Sequence, residues 1–208
     1  VNEERAYLDS TWRKVIRDAR THYSGALTLA ANFDNYQDIS FWDELDFIGI
    51  NAYFPLRGYK RKQLEDSDLK KELINGWQQV FDEMQVFKRE NGIEGKPVFF
   101  TELGYTTKSN TTIKPWKGHG FSILDNRVAD TLIIWKRADV RIKERALAVE
   151  ALKEVVTQRK APLVGITYWK LSTLGMHAMH EPFMLYLNPE HTDDLKSALV
   201  GFLEAPLE

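Results

Sequence analysis

The sequence predicts an α/β fold with a parallel sheet, and three observations carry that expectation. Short apolar runs, of the kind that form strands buried on both faces, alternate with amphipathic helical stretches four times. Each run ends in polar or aromatic residues rather than in a tight hairpin turn. No Gly-rich phosphate turn follows any of them, which favours a closed (β/α)8 barrel, where several strand ends build one site, over an open doubly wound sheet.

The first helix is predicted by Leu8, Trp12, Val15, Ile16, Ala19 and Tyr23 at helical spacing, with Asn2 as N-cap, Glu3 and Glu4 in the first turn and Gly25 beyond the end. Residues 26–31 follow as the first strand, ending at Asn32. A helical turn around 41–45 leads into a second strand over 47–53, which Pro55 and Gly58 close. The stripe Leu69, Leu73, Trp77, Val80, Phe81, Met84 and Phe87 predicts a long helix capped at Asp66 or Ser67 and stopped by Asn91-Gly92. A third strand over 97–102 ends in the carboxylate of Glu102. A polar loop carrying Trp116 separates it from a helix with Ala148, Leu152, Val155 and Val156 on one face. The fourth strand spans 163–169, and after an irregular segment rich in His and Pro a last helix covers 192–203.

With 208 residues, 43% of them hydrophobic, the chain suits one domain with a sizeable core. A whole barrel takes about 250 residues and eight strands. Four strands therefore predict that residues 1–208 are the C-terminal part of a single barrel domain, carrying about its last four βα units. Lys and Arg total 28 against 30 Asp and Glu, a net charge of -2 that offers no field for a polyanion, so no nucleic-acid partner is expected. Without Cys there is no disulfide framework and no thiolate metal site. The longest apolar runs fall well short of the ~20 residues that span a bilayer, so no membrane insertion is expected.

Glu102 is the leading catalytic candidate, because a carboxylate at the mouth of an apolar strand is costly to desolvate unless its charge is used. Tyr53, Trp116 and Trp169 sit where they can share that mouth, offering apolar ring faces to the C–H surface of a sugar. Asn32 and Asn51, at the ends of the first two strands, can donate to and accept from hydroxyl groups. His177 and His180 with Glu181 lack the His-Glu-x-x-His pattern of a zinc helix, and His119 and His22 stand alone, so neither metal nor cofactor is expected. No nucleophile-elbow sequence supports acyl transfer. Lys170 alone does not make the strand-end lysine site of an aldolase-type barrel.

Three segments in order carry a resemblance: Phe41-Trp42-Asp43-Glu44-Leu45-Asp46-Phe47-Ile48-Gly49-Ile50-Asn51-Ala52-Tyr53-Phe54-Pro55-Leu56, then Phe100-Thr101-Glu102-Leu103-Gly104-Tyr105, then Gly165-Ile166-Thr167-Tyr168-Trp169-Lys170. Together with the Trp12 helix and Ala30-Ala31-Asn32 they resemble glycoside hydrolase family 113, the β-mannanases of a clan of retaining barrel enzymes. The resemblance implies that Glu102 is the nucleophile at the end of barrel strand seven and that Trp169, from strand eight, floors the reactive subsite. It places Asn51 and Tyr53 on strand six, along the cleft. In that clan the acid/base follows strand four, commonly after Asn. Asn2-Glu3 has the right residue pair without a preceding strand, so the acid/base is expected upstream of Val1. Phe33 stands where the family favours Trp, and the loop over 106–136 is longer and more polar than the family's.

The implied activity is hydrolysis of β-linked oligo- or polysaccharide, β-1,4-mannan first, by double displacement. The alternative from a different class is a carbohydrate-binding barrel that keeps the aromatic cleft without an acid/base.

Overall fold

The computed structural model describes residues 9–59, 63–117, 139–159, 161–176, 181–188, 190 and 192–205, and the backbone of 121–125 and 131–135. In chain order the elements are α1 (Asp9–Arg20), β1 (Ala31–Asn32), β2 (Ile48–Asn51), α2 (Asp66–Glu90), β3 (Val98–Leu103), β4 (Phe121–Asp125), β5 (Thr131–Trp135), α3 (Ile142–Arg159), β6 (Leu163–Tyr168), β7 (Leu171–Ser172), β8 (Leu185–Tyr186) and α4 (Asp194–Leu203), with 3₁₀ turns at Tyr36–Asp38 and Trp42–Glu44.

β1, β2, β3 and β6 form one parallel sheet in that spatial order. Spatial order follows chain order throughout, so each unit is added on the same side and the sheet has no point at which its winding reverses. That is how an arc of a barrel is built, and it is the opposite of a doubly wound sheet. The fold is α/β with a parallel sheet, as its sequence pattern implies.

α2 follows its stripe: Leu69, Leu73, Trp77, Val80, Phe81, Met84 and Phe87 are all buried. Burial of side chains this size contributes roughly 1.5–3 kcal/mol each. Trp77 and Phe81 stack on Phe100 of β3 at 5.8 and 6.2 Å between centroids, and the Trp77 indole N–H donates to Ala148 O at 3.0 Å. One helix is thereby fixed to the strand that carries Glu102 and to α3. The helix stops at Asn91-Gly92, where Gly92 takes φ +66°, a conformation that costs glycine nothing. Its start differs from expectation. Glu65 is the N-cap and makes no capping bond, while Asp66 accepts from Arg141 (2.7 Å) and pairs with Lys143 (3.0 Å), so its carboxylate joins α2 to the start of α3.

α3 buries the expected Ala148, Leu152, Val155 and Val156, but also Glu144 through Val149. It packs against both α2 and α4, so its apolar surface is spread around the helix rather than confined to one stripe. α1 departs in the other direction: Ile16 is buried and Trp12 stacks on Phe41 at 5.9 Å, while Val15 is 50% exposed. Leu8 and the proposed cap residues Asn2 to Glu4 lie outside the described residues.

Two strands are shorter or less covered than their apolar runs suggest. Only Ala31 and Asn32 of the first run enter the ladder. Upstream, the two segments are joined largely through side chains: Asp46 accepts from Leu27 N–H (2.7 Å) and Thr28 Oγ1 donates to Phe47 O (2.9 Å). β6 leaves Val164 48% exposed while Leu163 is buried, and among the described strands β6 pairs with β3 alone. The expected polar loop over 106–136 also contains structure, since β4 and β5 pair antiparallel from Phe121–Trp135 to Asp125–Thr131. No helix among the described residues is long and apolar enough to cross a membrane.

A candidate active site at the strand ends

Parallel pairing puts the C-terminal ends of all four strands on one rim. The ladder aligns Asn32 with Asn51 and Asn51 with Glu102, so three polar strand-end residues are neighbours by register alone. A register irregularity between Ile50 and Asn51 accompanies this step. Asn51 Nδ2 donates to Asn32 Oδ1 at 3.4 Å, and Thr101 Oγ1 donates to Asn51 Oδ1 at 2.9 Å. Asn51 is thus a brace between β1 and β3.

The rim opens into a cleft of about 560 Å³ lined by Asn32, Phe33, Asp34, Tyr53, Glu102, Trp116, Trp169 and Phe183. Of the six residues named from sequence, five line it. Asn51 does not, being occupied with Asn32 and Thr101. Phe33, which the sequence marked only as a departure from the family's Trp, joins those five, and Asp34 and Phe183 are additions that the sequence did not mark.

Glu102 is half-buried, and the Tyr53 hydroxyl donates to its Oε2 at 2.6 Å. Burial, this hydrogen bond and the charge of Glu102 together push the Tyr53 pKa well above its ordinary value. Tyr53 therefore stays a protonated donor throughout the neutral range. Phe183 packs edge-on against the Tyr53 ring at 6.2 Å, and backbone bonding from Ala52 N–H to Glu102 O (2.7 Å) fixes the segment beneath. Among the described residues Tyr53 is the only side chain that hydrogen-bonds the Glu102 carboxylate, and it does so at Oε2.

Trp169 follows β6, with its N–H donating to Leu103 O at 2.8 Å and a cis peptide bond to Lys170. Its ring is 44% exposed, and the Lys170 ammonium lies 5.2 Å from the ring centroid while pairing with Glu181 at 3.1 Å. Gly104 allows this approach: a Cβ there would stand 2.4 Å from Trp169 O.

Trp116 is 47% exposed and stacks on Phe33 at 5.1 Å. Its loop is tethered by Glu144, which is fully buried at the start of α3. Glu144 accepts from Asn110 N–H (3.0 Å), Thr112 N–H (3.2 Å), Thr112 Oγ1 (2.7 Å) and Arg57 Nη2 (3.0 Å). Arg57, from the segment after β2, also donates to Thr112 Oγ1 and Asn110 Oδ1. One buried ion pair thus holds the loops after β2 and β3 to α3 and sets where Trp116 stands. Nothing in the sequence distinguishes Glu144 from any acidic residue in a helix's first turn.

Among the described residues no group of three or more His, Asp or Glu is placed to hold a metal ion. His177, His180, His119 and Glu3 lie outside the described residues. What the arrangement offers is a carboxylate anchored at one oxygen, in a cleft walled by aromatic rings and small polar groups. Such a cleft suits attack on an uncharged, hydroxyl-rich ligand.

Comparison with known proteins bears on the family and the fold. The family model of Glycoside Hydrolase Family 113 matches residues 1–127. Among solved structures, the GH113 β-mannanase AaManA from Alicyclobacillus acidocaldarius, in complex with ManMIm, superposes with a TM-score of 0.62 at 20% identity, over 95% of this chain and 51% of its own. Two structures of GH113 β-1,4-mannanase, one of them a complex, match with TM-scores of 0.62 at 18% identity, covering 98% and 96% of this chain and 52% of theirs. The chain spans about half the length of these structures. No curated protein matches it.

Proposed function

The chain belongs to glycoside hydrolase family 113, and from that premise we propose that it supplies the last four βα units of a retaining glycoside hydrolase that cleaves β-linked polysaccharide, foremost β-1,4-mannan, with Glu102 as nucleophile. The observation that carries this reading is the placement of Glu102: in the aromatic cleft, with Tyr53 donating to its Oε2 at 2.6 Å.

In the proposed reaction Glu102 Oε1 attacks the anomeric carbon as the bond to the leaving sugar breaks. The leaving oxygen takes a proton from a second carboxyl group, which in retaining enzymes stands about 5–5.5 Å from the nucleophile. Water, deprotonated by that same group, then hydrolyses the glycosyl ester and restores Glu102. In this clan the second carboxyl follows strand four, ahead of the four strands described here. Tyr53 holds the nucleophile's orientation and takes part of its charge before attack. Trp169 and the Phe33–Trp116 pair offer ring faces to successive sugars, and Asn32 offers an amide to hydroxyl groups.

Trapping tests the reading. Incubating the protein with an activated 2-deoxy-2-fluoro mannoside and mapping the adduct by mass spectrometry should place the sugar on the peptide containing Glu102, and Glu102→Gln should abolish both labelling and nearly all turnover of mannan with the fold intact. Turnover unchanged in Glu102→Gln rejects the nucleophile assignment. Manno-oligosaccharide binding with neither turnover nor labelling supports instead a carbohydrate-binding barrel that keeps the cleft alone.

A further inference from the structure

Two walls of the cleft, Trp169 and Phe183, come from separate segments, one just before β7 and one just before β8. Both close on Gly104, two residues after Glu102: a Cβ there would stand 3.3 Å from Trp169 Cβ and 3.3 Å from Phe183 Cδ1. A glycine lets two rings approach but has no side chain to fix how they are turned. Something else must hold them.

Glu181 touches both. Its Oε1 accepts from Phe183 N–H at 3.2 Å, and its Oε2 pairs at 3.1 Å with the Lys170 ammonium, which lies 5.2 Å from the Trp169 ring centroid. Its carbonyl accepts from Met184 N–H at 3.0 Å, closing a turn around Phe183, and Pro182 O in the same turn accepts from Thr107 N–H at 2.9 Å. The Phe183 ring packs against Tyr53, the donor to Glu102. An ionised carboxylate suits this place because its two oxygens serve an amide and an ammonium at once. The Lys170 and Glu181 side chains are 32% and 34% exposed, and an ion pair so open adds little to stability. Its consequence is geometric: it limits where the ammonium stands over Trp169.

We propose that Glu181 is a positioning residue of this site, acting through Lys170 on the Trp169 ring and through the Phe183 turn on Tyr53. It touches neither sugar nor the reacting atoms; it sets the distance and tilt of the two rings between which a sugar is gripped. The proposal rests on the carbohydrate reading above for its ligand, whereas the contacts it invokes can be followed without one.

Two variants of the full chain separate the two routes. Glu181→Gln keeps an acceptor oxygen for Phe183 N–H and loses the ammonium's counter-charge; Glu181→Ala loses both. With Tm nearly unchanged, Glu181→Gln should weaken calorimetric binding of mannopentaose about threefold, and Glu181→Ala should weaken it further. Combining Glu181→Gln with Lys170→Met should cost no more than either change alone, because both act on one contact. Without ligand, the Trp169 indole N–H resonance, assigned by its loss in Trp169→Phe, should move in Glu181→Gln, and hydrogen exchange of the peptide containing Phe183 should quicken in Glu181→Ala only. Glu181→Gln keeps the test decisive if Glu181→Ala does not fold. Parent-like affinity in both variants, while the parent binds mannopentaose, overturns the positioning role and leaves the hydrolase reading standing. Additive losses in the double variant, or an unmoved indole resonance in Glu181→Gln, overturn the route through Lys170. A parent that does not bind mannopentaose, with the indole resonance moving as expected, rejects the carbohydrate reading and, with it, the role given to Glu181.

Discussion

The Tyr53 hydroxyl and the Glu102 carboxylate meet at 2.6 Å although they lie 49 residues apart, on neighbouring strand ends that the sheet holds in register. Because burial and Glu102 itself keep Tyr53 protonated, the bond is a lasting donor contact rather than one that titrates away. Tyr53→Phe removes the donor and keeps the ring against Phe183. Removing one such donor is expected to lower kcat about 10²-fold, with little change in Tm. An unchanged kcat would mean that the contact is only structural.

The aromatic walls predict a division of labour between binding and chemistry. Lys170 covers one face of Trp169, so a sugar is expected on the other. Trp169→Ala should weaken oligosaccharide binding about tenfold, or about 1.4 kcal/mol, and should also lower turnover, because this ring borders Glu102. Trp116→Ala should weaken binding by a comparable amount with a smaller effect on kcat, since Trp116 stands on the loop after β3 and stacks on Phe33. Equal binding of oligosaccharide by parent and both variants would contradict the cleft as described.

Glu144 makes a prediction about stability that the site then inherits. Its fully buried carboxylate has Arg57 as ion partner and three further donors from the loop before Trp116. Glu144→Ala leaves the Arg57 guanidinium buried without its counter-charge, which typically costs about 3–5 kcal/mol. Denaturant unfolding should show that loss, and oligosaccharide affinity should fall as well, because the loop carrying Trp116 loses its anchor. A change below about 1 kcal/mol would show that the pair is dispensable.

These residues also show where sequence reasoning reaches and where it stops. α2 was legible because seven of its apolar residues, Leu69 to Phe87, recur on one arc, while Val86 lies exposed off it. α3 was only half legible, since a helix between two others has no polar face to define a stripe. Strand-end positions were legible from the points at which apolar runs give way, and that alone brought Asn32, Tyr53, Glu102 and Trp169 to one rim. Asn51 shared that signal but is spent on bracing its neighbours, a role that depends on which side its amide turns. Asp34 and Phe183 carry no local signal, because their place in the cleft is set by tertiary packing, and Phe33 stood out only against the family's Trp. The β4–β5 hairpin did have one: apolar stretches at 121–124 and 131–135 flank Asp125-Asn126, but they were overshadowed by the polar residues around them.

The buried phenols fix how the fold should fail in alkali. Burial is the leading cause of a raised pKa at Tyr36, Tyr53, Tyr105 and Tyr168, with Tyr168 pushed to about 12 and Glu102 adding to the effect at Tyr53. In the unfolded chain these phenols ionise near pH 10. A group whose pKa is raised on folding contributes stability that is fully present below its unfolded pKa and is lost as pH rises towards the folded value. Above about pH 10 the unfolded state therefore releases protons that the folded state retains, and stability falls from there upward. Of the eight tyrosines, four are thus expected to resist ionisation until the fold opens. Following phenolate absorbance and circular dichroism through one alkaline titration checks this: roughly half the absorbance change should appear only together with loss of helix signal. Ionisation of all the tyrosines around their ordinary pKa with the helix signal intact would show that these phenols are not held as the packing implies.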